Sequence, residues 1–150
     1  MIVTTHRLLY LFVLLAYGTG VWAACEDPPA PRVNWLSCVM PGADLQGADL
    51  REAVLGRIDL SEANLTGARL GGADFGRALL RKTDFSRARL TGARLVSARL
   101  EGAVFKEAVM DGARLERAVL KEAVLEQVDL SRANLYQAQA DGASFNEANL

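Results

Sequence analysis

From Trp35 to Leu150 an apolar residue stands at every fifth position, without one insertion or deletion. Of these 24 positions, here called i, sixteen are Leu and four are Phe (Phe75, Phe85, Phe105 and Phe145), with Trp35, Met40, Met110 and Ala140 filling the rest. Two places earlier, at i−2, Ala occupies 19 of the 24 sites, and Val33, Cys38, Ile58, Thr83 and Val128 are the exceptions. A short fixed period of this kind builds a stacked coil, not a globule folded around a pocket.

The period also excludes a helix. Ala, Leu, Arg and Glu all favour helix by propensity. But a helix turns about 100° per residue, so a step of five moves the apolar side chain by about 140° and leaves no face buried. In extended chain, residues two apart share a side. So i−2 and i point inward, i−1 points outward, and i+1 and i+2 turn a corner. Gly suits that corner because tight turns often need positive φ, and it stands at i+2 in Gly42, Gly47, Gly67, Gly72, Gly92, Gly102, Gly112 and Gly142.

Segments such as Ala43-Asp44-Leu45-Gln46-Gly47 and Ala63-Asn64-Leu65-Thr66-Gly67 carry an A-(D/N)-L-x-x pattern that resembles the pentapeptide-repeat proteins. The resemblance covers residues 33–150. It implies an all-β fold: a right-handed, four-sided β-helix with four pentapeptides per coil, about six coils here. Leu45, Leu65, Phe85, Phe105, Leu125 and Phe145 are then core positions. Residues twenty apart lie above one another, so Phe85 stacks on Phe105. Thr83 brings a hydroxyl inside, where it needs a backbone carbonyl.

Three segments are expected: a signal peptide at 1–23, a Pro-rich lead-in at 24–32 and the repeat at 33–150. The first contains His6 and Arg7, an apolar run from Leu8 to Ala16, and small residues around Ala23 and Ala24, where cleavage is placed. That is the layout of an export signal. The run is too short to span a bilayer, and Gly18 and Gly20 interrupt it, so no stable membrane span is expected after cleavage. The product is expected to be periplasmic or secreted. Cys25 and Cys38 are the only cysteines, and an exported chain favours pairing them. Cys25 also follows small residues, so a lipid anchor there is the alternative.

No enzyme is expected. The only histidine, His6, lies in the leader, so the mature chain has neither the commonest base nor the commonest metal ligand. No cofactor, metal or catalytic residue is assigned. The charge balance, 17 basic against 18 acidic residues and a formal net charge of −1, gives no bulk attraction for nucleic acid.

Sorting outward residues at intervals of twenty divides the surface into sides. One collects Arg57, Arg77, Arg94, Arg114 and Arg117 against Asp74 and Glu116; the opposite one collects Asp44, Asp84, Glu107, Glu126 and Glu147 against Arg87 and Lys106. The Arg side is the candidate interaction face, for a protein or an anionic envelope component. The leading expectation is a non-enzymatic exported scaffold. A second reading is implied by the resemblance alone: some family members mimic DNA and protect type II topoisomerases such as gyrase, giving quinolone resistance. The near-neutral charge, the Arg side and the leader depart from that type. An end-to-end homodimer through the C-terminal coil is a further expectation.

Overall fold

The computed structural model describes residues 25–150. The expected signal peptide at 1–23 and the expected cleavage at Ala23 and Ala24 lie outside the described residues. From residue 30 onward the backbone repeats one five-residue motif. The carbonyl of nearly every i residue accepts from the N–H three residues on, as in Trp35 to Cys38 at 3.1 Å and Phe75 to Ala78 at 3.0 Å, the exception being Leu125. In each such turn only the third residue has positive φ, which defines a type II turn. The turn from Ala30 to Val33 is already of this kind, so the regular backbone includes the last residues of the expected lead-in.

Positive φ recurs at every i+2 position from Arg32 to Glu147: at eight glycines (65–72°) and at sixteen other residues (54–63°). Glycine is therefore the minority at the site where turn geometry favours it most. The sixteen are Arg, Glu, Ser, Lys and Gln, none of them β-branched, the class for which a left-handed backbone is most strained. Each carries a conformational penalty of about 1–2 kcal/mol. Hydrogen bonding at the same residue offsets it: the i+2 N–H donates to the next coil, as from Arg77 to Val96 at 3.0 Å and from Glu107 to Glu126 at 3.0 Å.

Successive coils are joined by single-residue parallel bridges, each linking an i−1 residue to its equivalent twenty positions on, from Asn34 with Val54 to Asp129 with Asn149. The chain is thus a β-helical solenoid in which twenty residues make one circuit. Away from the two end coils, the i, i−1 and i+2 N–H groups bond between coils, at 2.7–3.0 Å, and the i−2 N–H closes the turn in every repeat except at Val128. Within the inner coils the i+1 N–H is the one that regularly lacks a backbone partner. Where i−1 is Asp or Asn, its Oδ1 accepts that N–H: Asp84 from Ser86 at 2.8 Å, Asp74 from Gly76 at 2.9 Å, Asn64 from Thr66 at 3.1 Å. This is the physical reason for the acidic or amide residue in the repeat, since a short side-chain oxygen can satisfy the donor two residues ahead.

The interior is a column of Leu and Phe lined by Ala. Leu45, Leu65, Phe85, Phe105 and Leu125 are all buried, as expected. Phe85 and Phe105 stack with centroids 4.9 Å apart and planes 2° from parallel, and Phe75 meets Phe85 edge-on at 6.0 Å. Thr83 is fully buried and donates its hydroxyl to the Leu60 carbonyl at 2.8 Å. Phe145 differs from the expected core set: it is half-buried, because it belongs to the last coil of the stack and only one flank of that coil packs against the core. At the other end a disulfide joins Cys25 to Cys38, with Cα atoms 5.6 Å apart. Cys38 is an i−2 core residue, so the bond ties the segment before the repeat directly to the first coil.

The backbone geometry separates two kinds of glycine. Gly92 has φ +66° and nothing within 4 Å of an added Cβ, whereas Gly71 lacks positive φ and its Cβ would meet only the Thr91 carbonyl at 3.7 Å. Gly92→Ala should destabilise by about 1 kcal/mol through backbone strain alone, and Gly71→Ala should be neutral or stabilise by about 0.4–1 kcal/mol. Chemical denaturation of both variants checks this; equal effects would contradict the turn assignment.

Candidate interaction surface

A circuit of twenty residues brings each outward side chain over its equivalent in the next coil. Positions 34–37 and their equivalents therefore form one side. It carries Arg94 and Arg114 at i−1, bridged to each other, and Arg57, Arg77 and Arg117 at i+2. The structure brings together all five arginines singled out from sequence. Between the two rows lies a shallow depression of about 500 Å³, lined by Arg57, Arg77, Arg94 and Arg117 together with Leu36, Gly56, Asp74, Gly76, Val96 and Ser97.

Gly56 and Gly76 form the floor, and sequence reasoning did not single them out. They stand at i+1, where no positive φ is needed. A side chain at either position would be tight. A Cβ on Gly56 would come within 3.1 Å of Leu36 Cδ1, and one on Gly76 within 3.1 Å of Asp74 Oδ1. The available signal was a glycine off the i+2 position in an otherwise strict repeat.

The arginines differ in how they are satisfied. Arg94 lies 3.4 Å from Asp74, and Arg114 lies 3.0 Å from Glu116. Arg117 donates to Gln137 Oε1 at 3.1 Å, a neutral partner. The Arg57 and Arg77 side chains have no hydrogen bond or ion pair among the described residues. The depression therefore holds positive charge that the protein itself leaves uncompensated.

Glu116 closes one end of the row above Gly76 and Val96. Its side chain is only 16% exposed; Oε1 accepts from Arg114 and from Asn134 Nδ2 at 3.0 Å, while Oε2 is buried without a partner. Partial burial acts to raise its pKa, but its own backbone N–H and the Arg114 guanidinium outweigh this, and the carboxyl lies below its ordinary 4.5.

The other charged sides are arranged differently. Positions 44–47 and their equivalents carry Asp44, Asp84, Glu107, Glu126 and Glu147, none of which forms an ion pair among the described residues. Positions 49–52 hold a second basic cluster that sequence sorting passed over: Arg51, Arg69 and Arg89 line a hollow of about 370 Å³ with Gly71 and Thr91. There Asp49 neutralises two of the three, at 2.7 Å from Arg51 and 3.5 Å from Arg69. At the last coil, Leu130, Ala133, Leu135, Phe145, Leu150 and Arg132 line an apolar hollow of about 450 Å³. Among the described residues no group of three or more His, Cys, Asp or Glu is placed to hold a metal, and no helix is long and apolar enough to cross a membrane.

A family model described as pentapeptide repeats (eight copies) matches residues 31–57, 43–81, 58–95, 83–121 and 113–150. The chain belongs to the pentapeptide-repeat family. Its fold is similar to the crystal structure of Rfr23, a pentapeptide repeat protein from the cyanobacterium Cyanothece 51142, with a TM-score of 0.68 and 26% identity over 75% of this chain and 91% of that one. It is also similar to a pentapeptide repeat protein of the Arabidopsis thaliana thylakoid lumen, with a TM-score of 0.52 and 32% identity over 55% of this chain and 61% of that one. The plasmid-mediated fluoroquinolone resistance protein QnrB1 aligns at 21% identity with a TM-score of 0.40, covering 77% of this chain and 69% of that one. No curated protein sequence matches the chain.

The charge environment of Glu116 gives a pH signature. A depressed carboxyl contributes stability that is present above its ordinary 4.5 and is lost as pH falls through the lower folded value. An NMR titration should place Glu116 below 4.5, and Arg114→Gln should move it upward; an unchanged midpoint would contradict the assigned contact.

Proposed function

We propose that this pentapeptide-repeat protein is a non-enzymatic exported scaffold that binds an anionic partner along its Arg side. The rod is read as six right-handed, four-sided coils, which puts the Arg and acidic sides opposite one another. The observation that carries the proposal is the pair Arg57 and Arg77, stacked one coil apart beside a glycine floor and without ionic partners. Guanidinium groups held this way suit carboxylate or phosphate oxygens, and the absent side chains at Gly56 and Gly76 allow close approach.

Export is supported by the leader-like composition of residues 1–23 and by the Cys25–Cys38 disulfide, a bond that persists in oxidising compartments. The same bond occupies the Cys25 sulfur, which favours secretion over a lipid anchor at that residue. A DNA-mimicking role is the less favoured reading, because the net charge is only −1 and the depression between the arginine rows is basic.

The test is capture of envelope components on the immobilised protein, compared with an Arg57→Glu, Arg77→Glu, Arg117→Glu variant. Glu occupies the same left-handed position natively at Glu52, Glu62 and Glu107, so the variant should fold normally. The expected outcome is a component eluted by salt and lost, by tenfold or more in amount, from the variant. Equal capture by both proteins would contradict the proposal.

A further inference from the structure

The acidic side offers a complement to the Arg trough within the same molecule. It begins ten residues after the Arg side, half of a twenty-residue circuit, so the two point away from each other and cannot pair within one rod. On it Glu107, Glu126 and Glu147 ascend through successive coils. The Glu107 carboxylate has no partner among the described residues, and the other two accept only neutral donors: Ser144 Oγ at 3.5 Å to Glu126, and Gln127 Nε2 at 2.6 Å to Glu147. Asp84 is held by the Ser86 N–H at 2.8 Å and Asp44 by Asn64 Nδ2 at 3.2 Å. Arg87 and Lys106 stand on this side too, and neither forms an ion pair with these acids.

We propose that a second copy of this chain is a partner of the Arg trough, the acidic row of one rod lying between the two arginine rows of the next. This rests on the reading of the trough as an anion-binding surface. Three features favour a second copy. First, both rows are spaced by the same coil, about 4.8 Å between hydrogen-bonded neighbours, so once one Glu meets one Arg, others along the rods come into register. Second, glutamate is long enough to reach the floor left open at Gly56 and Gly76, where no side chain of the rod itself stands. Third, the formal net charge of −1 leaves little overall repulsion between copies to oppose the contact.

The two surfaces are different patches on opposite sides. The contact is therefore heterologous and does not close on itself, and it builds rows of laterally associated rods in place of a finite dimer. It is made of exposed charges, so it strengthens as salt is lowered, where the screening length grows from about 3 Å at 1 M to about 30 Å at 0.01 M.

Sedimentation velocity on the protein over a range of concentrations tests this. At low salt the wild type should associate progressively, and at 1 M salt it should be monomeric. An Arg-side reversal (Arg57→Glu, Arg77→Glu, Arg117→Glu) and an acid-side reversal (Glu107→Arg, Glu126→Arg, Glu147→Arg) should each weaken association at least tenfold. Both use residues the repeat already carries at equivalent positions, such as Glu52, Arg87 and Arg51. Mixing the two variants should restore association, because each then supplies the side the other lacks. Association that survives both reversals, as contact through the apolar end hollow would give, overturns the inference. A wild type that stays monomeric at low salt also overturns it, while leaving envelope capture by the Arg trough as a separate result.

Discussion

The whole architecture depends on a left-handed turn residue recurring every five positions. Each i+2 residue from 32 to 147 has positive φ, and each reverses the chain so that the next short extended piece begins a new side. Such corners bring the backbone back over itself, as the parallel bridges between residues twenty apart show. A single corner is strained when its residue is not glycine. It persists because the same residue's N–H bonds to the adjacent coil and because the side chain at i, two places earlier, is buried. Burying a Leu contributes roughly 1.5–3 kcal/mol, comparable with the strain of one corner. The strain and its compensation are thus distributed along the rod repeat by repeat.

The same regularity governs the surface. A side chain's neighbours are set by arithmetic: residue n lies against n−20 and n+20. Charge therefore sorts into rows, and a departure from the pattern changes the surface without disturbing the core. Gly56 and Gly76 are such departures. They open a trough between arginine rows although the turn does not need glycine there. Asp49 shows the contrasting case: it quenches Arg51 and Arg69, so that a second cluster of arginines carries far less free charge.

Much of this was legible in the sequence because the period was unbroken. The inward set from Leu45 to Leu125, the Phe85–Phe105 stack, the buried Thr83 hydroxyl on a backbone carbonyl and the grouping of five arginines all follow from counting in fives and twenties. What was not legible depends on local conformation. Positive φ at Arg77 or Glu107 is signalled only by register with the i+2 glycines and by the absence of β-branching, and not by the residues themselves. The role of Asp74 or Asp84 as acceptor for the i+1 N–H requires knowing which backbone donor is left over. Phe145 fits the core pattern and is still half-exposed, because periodicity states which way a side chain points and not whether another coil lies above it.

The central claim is that residues twenty apart are neighbours on adjacent coils. Pairs of cysteines introduced at Val104 and Val124, which bridge directly, place it under the most direct test, since a disulfide forms only when Cα atoms lie about 4.4–6.8 Å apart. Under mild oxidation that pair should cross-link within the monomer, while a Val104 and Val119 pair, which lies on different sides, should not. Cross-linking of the second pair in preference to the first would contradict a twenty-residue circuit.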